Sequence, residues 1–140
     1  MKIAIIGSMK FVEDMVKIKK QLHEMGHDAL VPIGTDPFLK DKTLSDNLDE
    51  DLEFCITHDI MRKNFQQVAD CDAVLVLNYK RNGIEGYIGV SALMEMGVAH
   101  YLKKKIFLIN HTPDYKDARW AHEVAIMQPT IIKGDLTKIT

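Results

Sequence analysis

The sequence predicts an α/β domain in which a five-stranded parallel sheet of order 2-1-3-4-5 lies between two layers of helices, a flavodoxin-like (Rossmann-like) three-layer sandwich. Two observations predict it. Short apolar runs alternate with helical stripes along the chain, and strands separated by helices need right-handed crossovers, which produce a parallel sheet covered on both faces. A length of 140 residues with 46% hydrophobic content suits a single domain, 1–140.

Each predicted element follows from the spacing of its apolar residues. The predicted strands are 2–6, 28–31, 73–77, 105–109 and 130–132, and the predicted helices are 11–25, 52–68, 90–102 and 115–127. Gly7 ends the first strand, and Gly26 is placed to end the first helix as a left-handed cap. Pro32 and Gly34 break the chain after the second strand, so we expect the acidic stretch 36–53 to form a long loop or lid.

Glu95 is the most informative residue of the chain. It lies in a strongly apolar predicted helix, and no Lys or Arg is found at the spacings where an ion pair would form. A carboxylate on a buried face is costly unless a specific role retains it. In the order 2-1-3-4-5 the crevice opens beyond the first and third strands, at loops 7–9 and 78–89, and Glu95 follows the second loop. There Gly7 and Ser8 either offer N–H groups and a hydroxyl to an anion or form an ordinary tight turn.

Composition and motifs exclude several classes of function. A formal net charge of -2 gives no basic surface for a nucleic acid polymer or an acidic membrane, and no apolar run is long enough to span a bilayer. Two cysteines and no leader segment predict a reduced, cytoplasmic protein. The stretch 23–27 matches the His-Glu-x-x-His zinc pattern, but Gly26 interrupts the helix that would hold both imidazoles, so we expect no metal.

Three stretches in a fixed order carry a resemblance to a known family. They are 69–78, Gly86-Tyr87-Ile88-Gly89, and Glu95-Met96-Gly97-Val98-Ala99 ahead of the strand that begins at Lys105. Over most of the chain this order resembles the nucleoside 2-deoxyribosyltransferase family and its relatives, the deoxynucleoside monophosphate N-glycosidases. The opening strand with Gly7-Ser8-Met9 is similar too.

The resemblance implies a retaining mechanism with a glutamate nucleophile. The glutamate of the family's Glu-x-Gly-x-Ala stretch attacks the anomeric carbon of a deoxyribosyl group, which assigns that role to Glu95. The sugar then passes to a second base or to water. The substrate is a small nucleoside or nucleotide, no cofactor is needed, and a homodimer or higher homo-oligomer is expected. The expected substrate-binding residues are Gly7, Ser8, Met9, Asn78, Tyr87, Ile88, Gly89 and Ser91.

Several positions depart from the family's pattern. Transferases usually carry an acid and a glycine shortly before the nucleophile, where this chain has Gly89 and Ser91. A further acid, which protonates or holds the base, usually stands where this chain has Asn64. Asp59 could replace it if the predicted helix is shifted, so Asp59 and Asn64 are both candidate catalytic residues beside Glu95.

Alternative interpretations stay open at this stage. Glu95 could be a nucleophile, an acid that positions a ligand without catalysis, or a member of a structural network. Apolar neighbours would raise the pKa of Glu95, whereas a hydrogen bond from Ser91 to the ionised form would oppose that rise. The whole protein could be a non-catalytic module that binds or senses a nucleotide, or an interaction protein that acts through the acidic stretch 36–53.

Overall fold

The computed structural model describes residues 1–140 and is built around a five-stranded sheet of order β2-β1-β3-β4-β5. The strands are β1 (Lys2–Gly7), β2 (Asp28–Leu30), β3 (Ala73–Leu77), β4 (Lys105–Leu108) and β5 (Thr130–Ile131). Every neighbouring pair is parallel. The predicted flavodoxin-like α/β fold and its strand order are therefore confirmed.

Helices cover both faces of this sheet. They are α1 (Val12–Glu24), α2 (Asp36–Lys40), α3 (Leu48–Thr57), α4 (Ile60–Ala69), α5 (Val90–Tyr101) and α6 (Arg119–Met127). Successive side chains of a strand point to opposite faces, and β1 therefore feeds two cores. Ile3 and Ile5 pack on the α1 side, whereas Ala4 and Ile6 pack on the side of α4, α5 and α6. No helix has both the length and the apolar character needed to cross a bilayer.

The acidic stretch 36–53 is not the long loop that the sequence predicts. It contains α2, a 3-10 turn over Lys42–Asp46 and most of α3. Pro37 occupies the first turn of α2, where its missing N–H costs nothing. The Asn47 side chain caps α3 by accepting a hydrogen bond from the Glu50 N–H at 3.2 Å, and the acids of the first turn favour the helix dipole. Capping chemistry therefore outweighs the Pro and Gly signals nearby.

The predicted helix 52–68 is two helices rather than one. α3 ends at Thr57 and α4 begins at Ile60, because Asp59 takes the left-handed conformation with φ of 49°. Asp tolerates that conformation better than most residues, and a break this short leaves little trace in the apolar spacing. The prediction of one continuous helix is therefore wrong.

Neither imidazole of the His-Glu-x-x-His stretch is free to face the other across one helix turn. Gly26 adopts φ of 88° just after α1 ends. The His23 Nε2 atom lies 3.1 Å from the Ala29 carbonyl oxygen, and the His27 Nδ1 atom lies 3.1 Å from the amino group of Met1. The two rings therefore contact different groups, a carbonyl of β2 and the amino terminus that precedes β1.

Candidate functional site

A cavity of about 280 Å³ opens at the carboxyl ends of β1 and β3. The parallel register sets Gly7 opposite Leu77, so the loops that follow the two strands lie side by side. This is the switch point at which open α/β sheets bind ligands. One side of the cavity, which we name the sheet wall, consists of residues 7–9, 81, 87, 89–92 and 95. The other side, the helical wall, consists of residues 32–34, 38, 45, 51, 54–55, 60 and 64.

Glu95 is the buried acid of the sheet wall. Only 8% of the residue is exposed, and the carboxylate has no hydrogen-bond or ion-pair partner in the structure. Burial raises the pKa of Glu95 from 4.5 to about 7, and no charged neighbour contributes to the change. Ser91 is exposed and does not bond the carboxylate, so the hydrogen bond considered for the ionised form is not made. Desolvation alone therefore brings the pKa of Glu95 close to neutral pH.

The position of Glu95 follows from the packing of α5. Ala92, Met96 and Ala99 recur at helical spacing and are buried in the core on the α5 side of the sheet. Small alanines let this helix approach β1 and β3 closely. Glu95 precedes Met96 directly, so its side chain leaves the helix at the border between the core and the cavity.

Arg81 is a cation of the sheet wall that sequence reasoning missed. Its Nη1 atom donates a hydrogen bond to the Ser8 hydroxyl oxygen, and its Cζ atom lies 5.5 Å from the centroid of the Tyr87 ring. No carboxylate pairs with the guanidinium, which is half-buried beside the cavity. Arg81 therefore keeps donors available for an anionic group of a ligand. The only feature of the sequence that indicated a binding role for Arg81 was its position in loop 78–89, at the expected crevice.

Asp51 and Cys55 are two polar residues of the helical wall that were also missed. The Cys55 Sγ atom lies 3.8 Å from the Asp51 Oδ1 atom, and burial, followed by the Asp51 charge, raises the pKa of the Cys55 thiol. Phe38, Phe54 and Ile60 contribute apolar surface to the same wall. No three His, Cys, Asp or Glu side chains are grouped in a way that would hold a metal ion.

Only one of the two positions considered for a second acid lies at the cavity. Asn64 lines the cavity, but its Oδ1 atom accepts a hydrogen bond from the Ile33 N–H at 2.8 Å. Asp59 does not line the cavity. Its carboxylate is exposed and lies 3.1 Å from the Arg62 Nε atom. The structure therefore brings Asn64, and not Asp59, to the same cavity as Glu95, and α4 has no register shift that would exchange them.

Most of the expected binding residues line the cavity, but two do not. The side chain of Asn78 is fully buried and holds the loop that follows β4. Its Nδ2 atom donates to the Asn110 carbonyl at 2.7 Å, and its Oδ1 atom accepts from the Asn110 N–H at 2.9 Å. Ile88 is packed in the core under α5. Gly7, Ser8, Met9, Tyr87, Gly89 and Ser91 all lie on the sheet wall.

Comparison with known proteins adds no relative. No protein-family model matches the chain, and no curated protein has a significant sequence match to it. What the structure itself defines is an α/β protein of flavodoxin-like topology with an unpaired, buried carboxylate in the cavity at its switch point.

Proposed function

We propose that this protein cleaves or transfers the N-glycosidic bond of a nucleoside or nucleotide, with Glu95 as the nucleophile. The proposal rests on the environment of Glu95, which is buried, has no hydrogen-bond or ion-pair partner, and lines the cavity at the switch point. A structural role would give the carboxylate a partner, and none is present. The resemblance to the nucleoside 2-deoxyribosyltransferase family supports the same role.

The chemistry that this geometry supports is a double displacement. A carboxylate oxygen of Glu95 bonds to the anomeric carbon, and the base leaves with the electron pair of the broken C–N bond. Water or a second base then attacks the same carbon and releases Glu95, so two inversions give net retention. A pKa of about 7 keeps a large fraction of Glu95 ionised near neutral pH, while poor solvation keeps that carboxylate reactive.

Arg81 favours a substrate that carries an anionic group. The guanidinium is anchored by Ser8 and by its position over Tyr87, so its orientation is restricted before a ligand arrives. A planar guanidinium matches the oxygens of a phosphate or carboxylate through paired donors. Among the substrates of this proposal, a nucleotide therefore suits the sheet wall better than a nucleoside.

A second candidate function is a non-catalytic module that binds or senses a nucleotide. It is favoured by Asn64, because the family's second acid is replaced by an amide that already bonds Ile33. The acidic stretch 36–53 as a protein-interaction surface has no such observation in its favour. Self-association stays a prediction, supported by a stripe on α3 whose side chains are exposed: Leu48, Leu52 and Ile56.

The test is release of free base from 2'-deoxynucleosides and their 5'-monophosphates, followed by chromatography. We expect release by the wild type and a loss of at least about 10³-fold in Glu95→Gln, since the amide cannot act as the nucleophile. Glu24→Gln, the same change at an exposed end of α1, is the matched control and keeps full activity. Ligand binding without release, unaltered by Glu95→Gln, would instead establish the non-catalytic module.

A further inference from the structure

A second depression lies at the opposite edge of the sheet from the cavity, where β4 begins and where α5 and α6 end. It has a volume of about 440 Å³, and we name it the basic pocket. Its lining consists of residues 100, 103–107, 127–128, 130, 138 and 140. Helix α5 spans the distance between the two places, because Val90 at its start lines the cavity and His100 near its end lines the basic pocket. The two sites share no lining residue.

Positive charge dominates the basic pocket. Its lining includes no Asp or Glu, although the protein as a whole has a net charge of -2, and it includes four lysines: Lys103, Lys104, Lys105 and Lys138. None of the four forms an ion pair with a carboxylate side chain. Lys105 is the one that is engaged, since its Nζ atom donates to the Thr140 carbonyl oxygen at 2.7 Å. Asp135 is only three positions from Lys138, but it accepts hydrogen bonds from Thr137 and lies outside the pocket.

Helix ends account for only part of this charge. The C-terminus of a helix carries about half a negative charge, and α5 and α6 both end at the pocket, at Tyr101 and Met127. Two such ends offset about one positive charge, whereas three lysines remain once Lys105 is assigned to Thr140. A surplus of about two positive charges is therefore left without a counter-charge. Like charges held close together repel, so a bound anion would stabilise the arrangement.

The floor of the basic pocket is an open strand edge. β5 begins opposite Phe107, so Lys105 and Ile106 have no strand residue beside them on that side. The Lys105 N–H points toward β3 and bonds the Asp72 carbonyl oxygen at 3.3 Å. Since directions alternate along a strand, the Ile106 N–H points away from β3 and toward the pocket. A backbone donor at a sheet edge, next to cationic side chains, is an arrangement that binds anions.

Lys103 occupies a backbone position that favours glycine. It follows the C-cap of α5 with φ of 56°, and the next N–H, that of Lys104, bonds the Ala99 carbonyl oxygen at 2.9 Å. This is the helix ending in which glycine is the usual residue, because a side chain is strained in the left-handed conformation. Lys103→Gly therefore removes one charge from the pocket and relieves the backbone at the same time. Loss of binding in this variant cannot be attributed to loss of the fold.

We propose that the basic pocket binds a small anion with two or three linked phosphoryl groups, such as the phosphate chain of a nucleoside di- or triphosphate. A lysine binds phosphate as a point charge, and several lysines in one depression suit several phosphoryl groups close together. A single phosphate would leave most of the volume unfilled. A nucleic acid polymer needs a longer track of cations than one depression provides. This proposal does not depend on the proposed function.

The experiment is an NMR titration of the ¹⁵N-labelled protein with sodium tripolyphosphate, against sodium chloride at equal ionic strength. We expect the amide signals of 104–106 and 128 to shift and to saturate with tripolyphosphate alone. Lys103→Gly should weaken the affinity read from these signals about tenfold, with a melting temperature no lower than that of the wild type. The double variant Lys104→Gln, Lys138→Gln should abolish the saturable shift.

Lys133→Gly is the matched control. Lys133 has the same charge and a similar left-handed φ of 53°, but it does not line the basic pocket. This variant should bind tripolyphosphate like the wild type. Equal weakening in Lys103→Gly and Lys133→Gly would overturn the proposal, because it would reflect overall charge alone.

Three further results would overturn the proposal. One is the absence of a saturable shift at 104–106. Another is a shift confined to residues 7–9 and 81–87, which would locate the anion at Arg81. The third is tighter binding of a duplex oligonucleotide or of anionic lipid vesicles than of tripolyphosphate, lost in Lys103→Gly. None of these results bears on base release by Glu95, which is measured without tripolyphosphate.

Discussion

The two walls of the cavity are built in different ways. The sheet wall lies at the ends of β3, which is fully buried, and of β1, whose four central residues are buried, and its helix α5 is anchored in the core by Ala92, Met96 and Ala99. The helical wall consists largely of short helices and turns, and exposed ion pairs join the 36–57 segment to α1 and to the turn that precedes it. Lys10 with Asp46 and Lys42 with Glu13 each have a separation of 2.7 Å.

This difference in construction predicts that the two walls differ in mobility. Regions with many buried apolar contacts open only when the whole protein unfolds, whereas regions held by exposed polar contacts open locally. The proposed nucleophile Glu95 therefore belongs to the rigid wall, where its distance to the substrate is fixed. The helical wall, which exposed ion pairs hold in place, is the side that is able to open and readmit solvent. Three experiments test this difference between the rigid sheet wall and the more mobile helical wall, from the largest expected effect to the smallest.

The first experiment strains the loop that carries Arg81 and Tyr87 of the sheet wall, at Gly86 between β3 and α5. A Cβ atom at this position would lie 1.9 Å from the backbone oxygen of His111, and its φ of 71° is unfavourable for other residues. We expect Gly86→Ala to lower the free energy of unfolding by about 4 kcal/mol, from overpacking and strain together. Gly83→Ala is the matched control, because φ is 75° but no atom lies within 4 Å, and it should cost about 1 kcal/mol. Equal losses in urea titrations of the two variants would show that the close approach is unimportant.

The second experiment measures what the burial of Glu95 costs. A folded pKa of about 7 against 4.5 means that the folded state holds a proton that the unfolded state has released. Stability is therefore lost as the pH rises from 4.5 through 7, by about 3 kcal/mol in total. Glu95→Gln removes this loss, so its free energy of unfolding should gain about 3 kcal/mol relative to the wild type between pH 4.5 and pH 9. Parallel pH profiles from denaturant titrations would contradict the assigned environment.

The third experiment loosens the helical wall alone. The double variant Lys10→Ala, Lys42→Ala removes both ion pairs to the 36–57 segment. Exposed pairs contribute little, so the global free energy of unfolding should fall by no more than about 1 kcal/mol. Amide hydrogen exchange should nevertheless accelerate in 36–57 and stay unchanged in β3. Lys20→Ala, which removes an exposed pair within α1, is the control. Acceleration in both regions would show that the two walls open together.

Local patterns in the sequence were sufficient for the strands and for Glu95. A continuous apolar run identifies β3, and the absence of a cation one turn away identifies the unusual acid of α5. The helical wall could not be predicted from such local patterns. On α3 the apolar stripe of Leu48, Leu52 and Ile56 faces solvent, so apolar spacing gives no indication that the face of Asp51 is turned inward.

Contacts between distant residues account for the other differences. Arg81 reaches Ser8 across 73 positions of the chain, and Asn78 binds Asn110 across 32. Polar residues at strand ends are equally compatible with a ligand and with another loop, because either one satisfies their hydrogen bonds. Only the folded arrangement shows that Arg81 faces the cavity while Asn78 braces the neighbouring loop.

The most direct test of the account is mass spectrometry of the protein quenched during turnover of a deoxynucleoside monophosphate and digested to peptides. If Glu95 is the nucleophile, the peptide that contains it gains the mass of one deoxyribosyl phosphate group, and Glu95→Gln shows no such adduct. Base release at the wild-type rate by Glu95→Gln, or an adduct on a different carboxylate, would contradict the account.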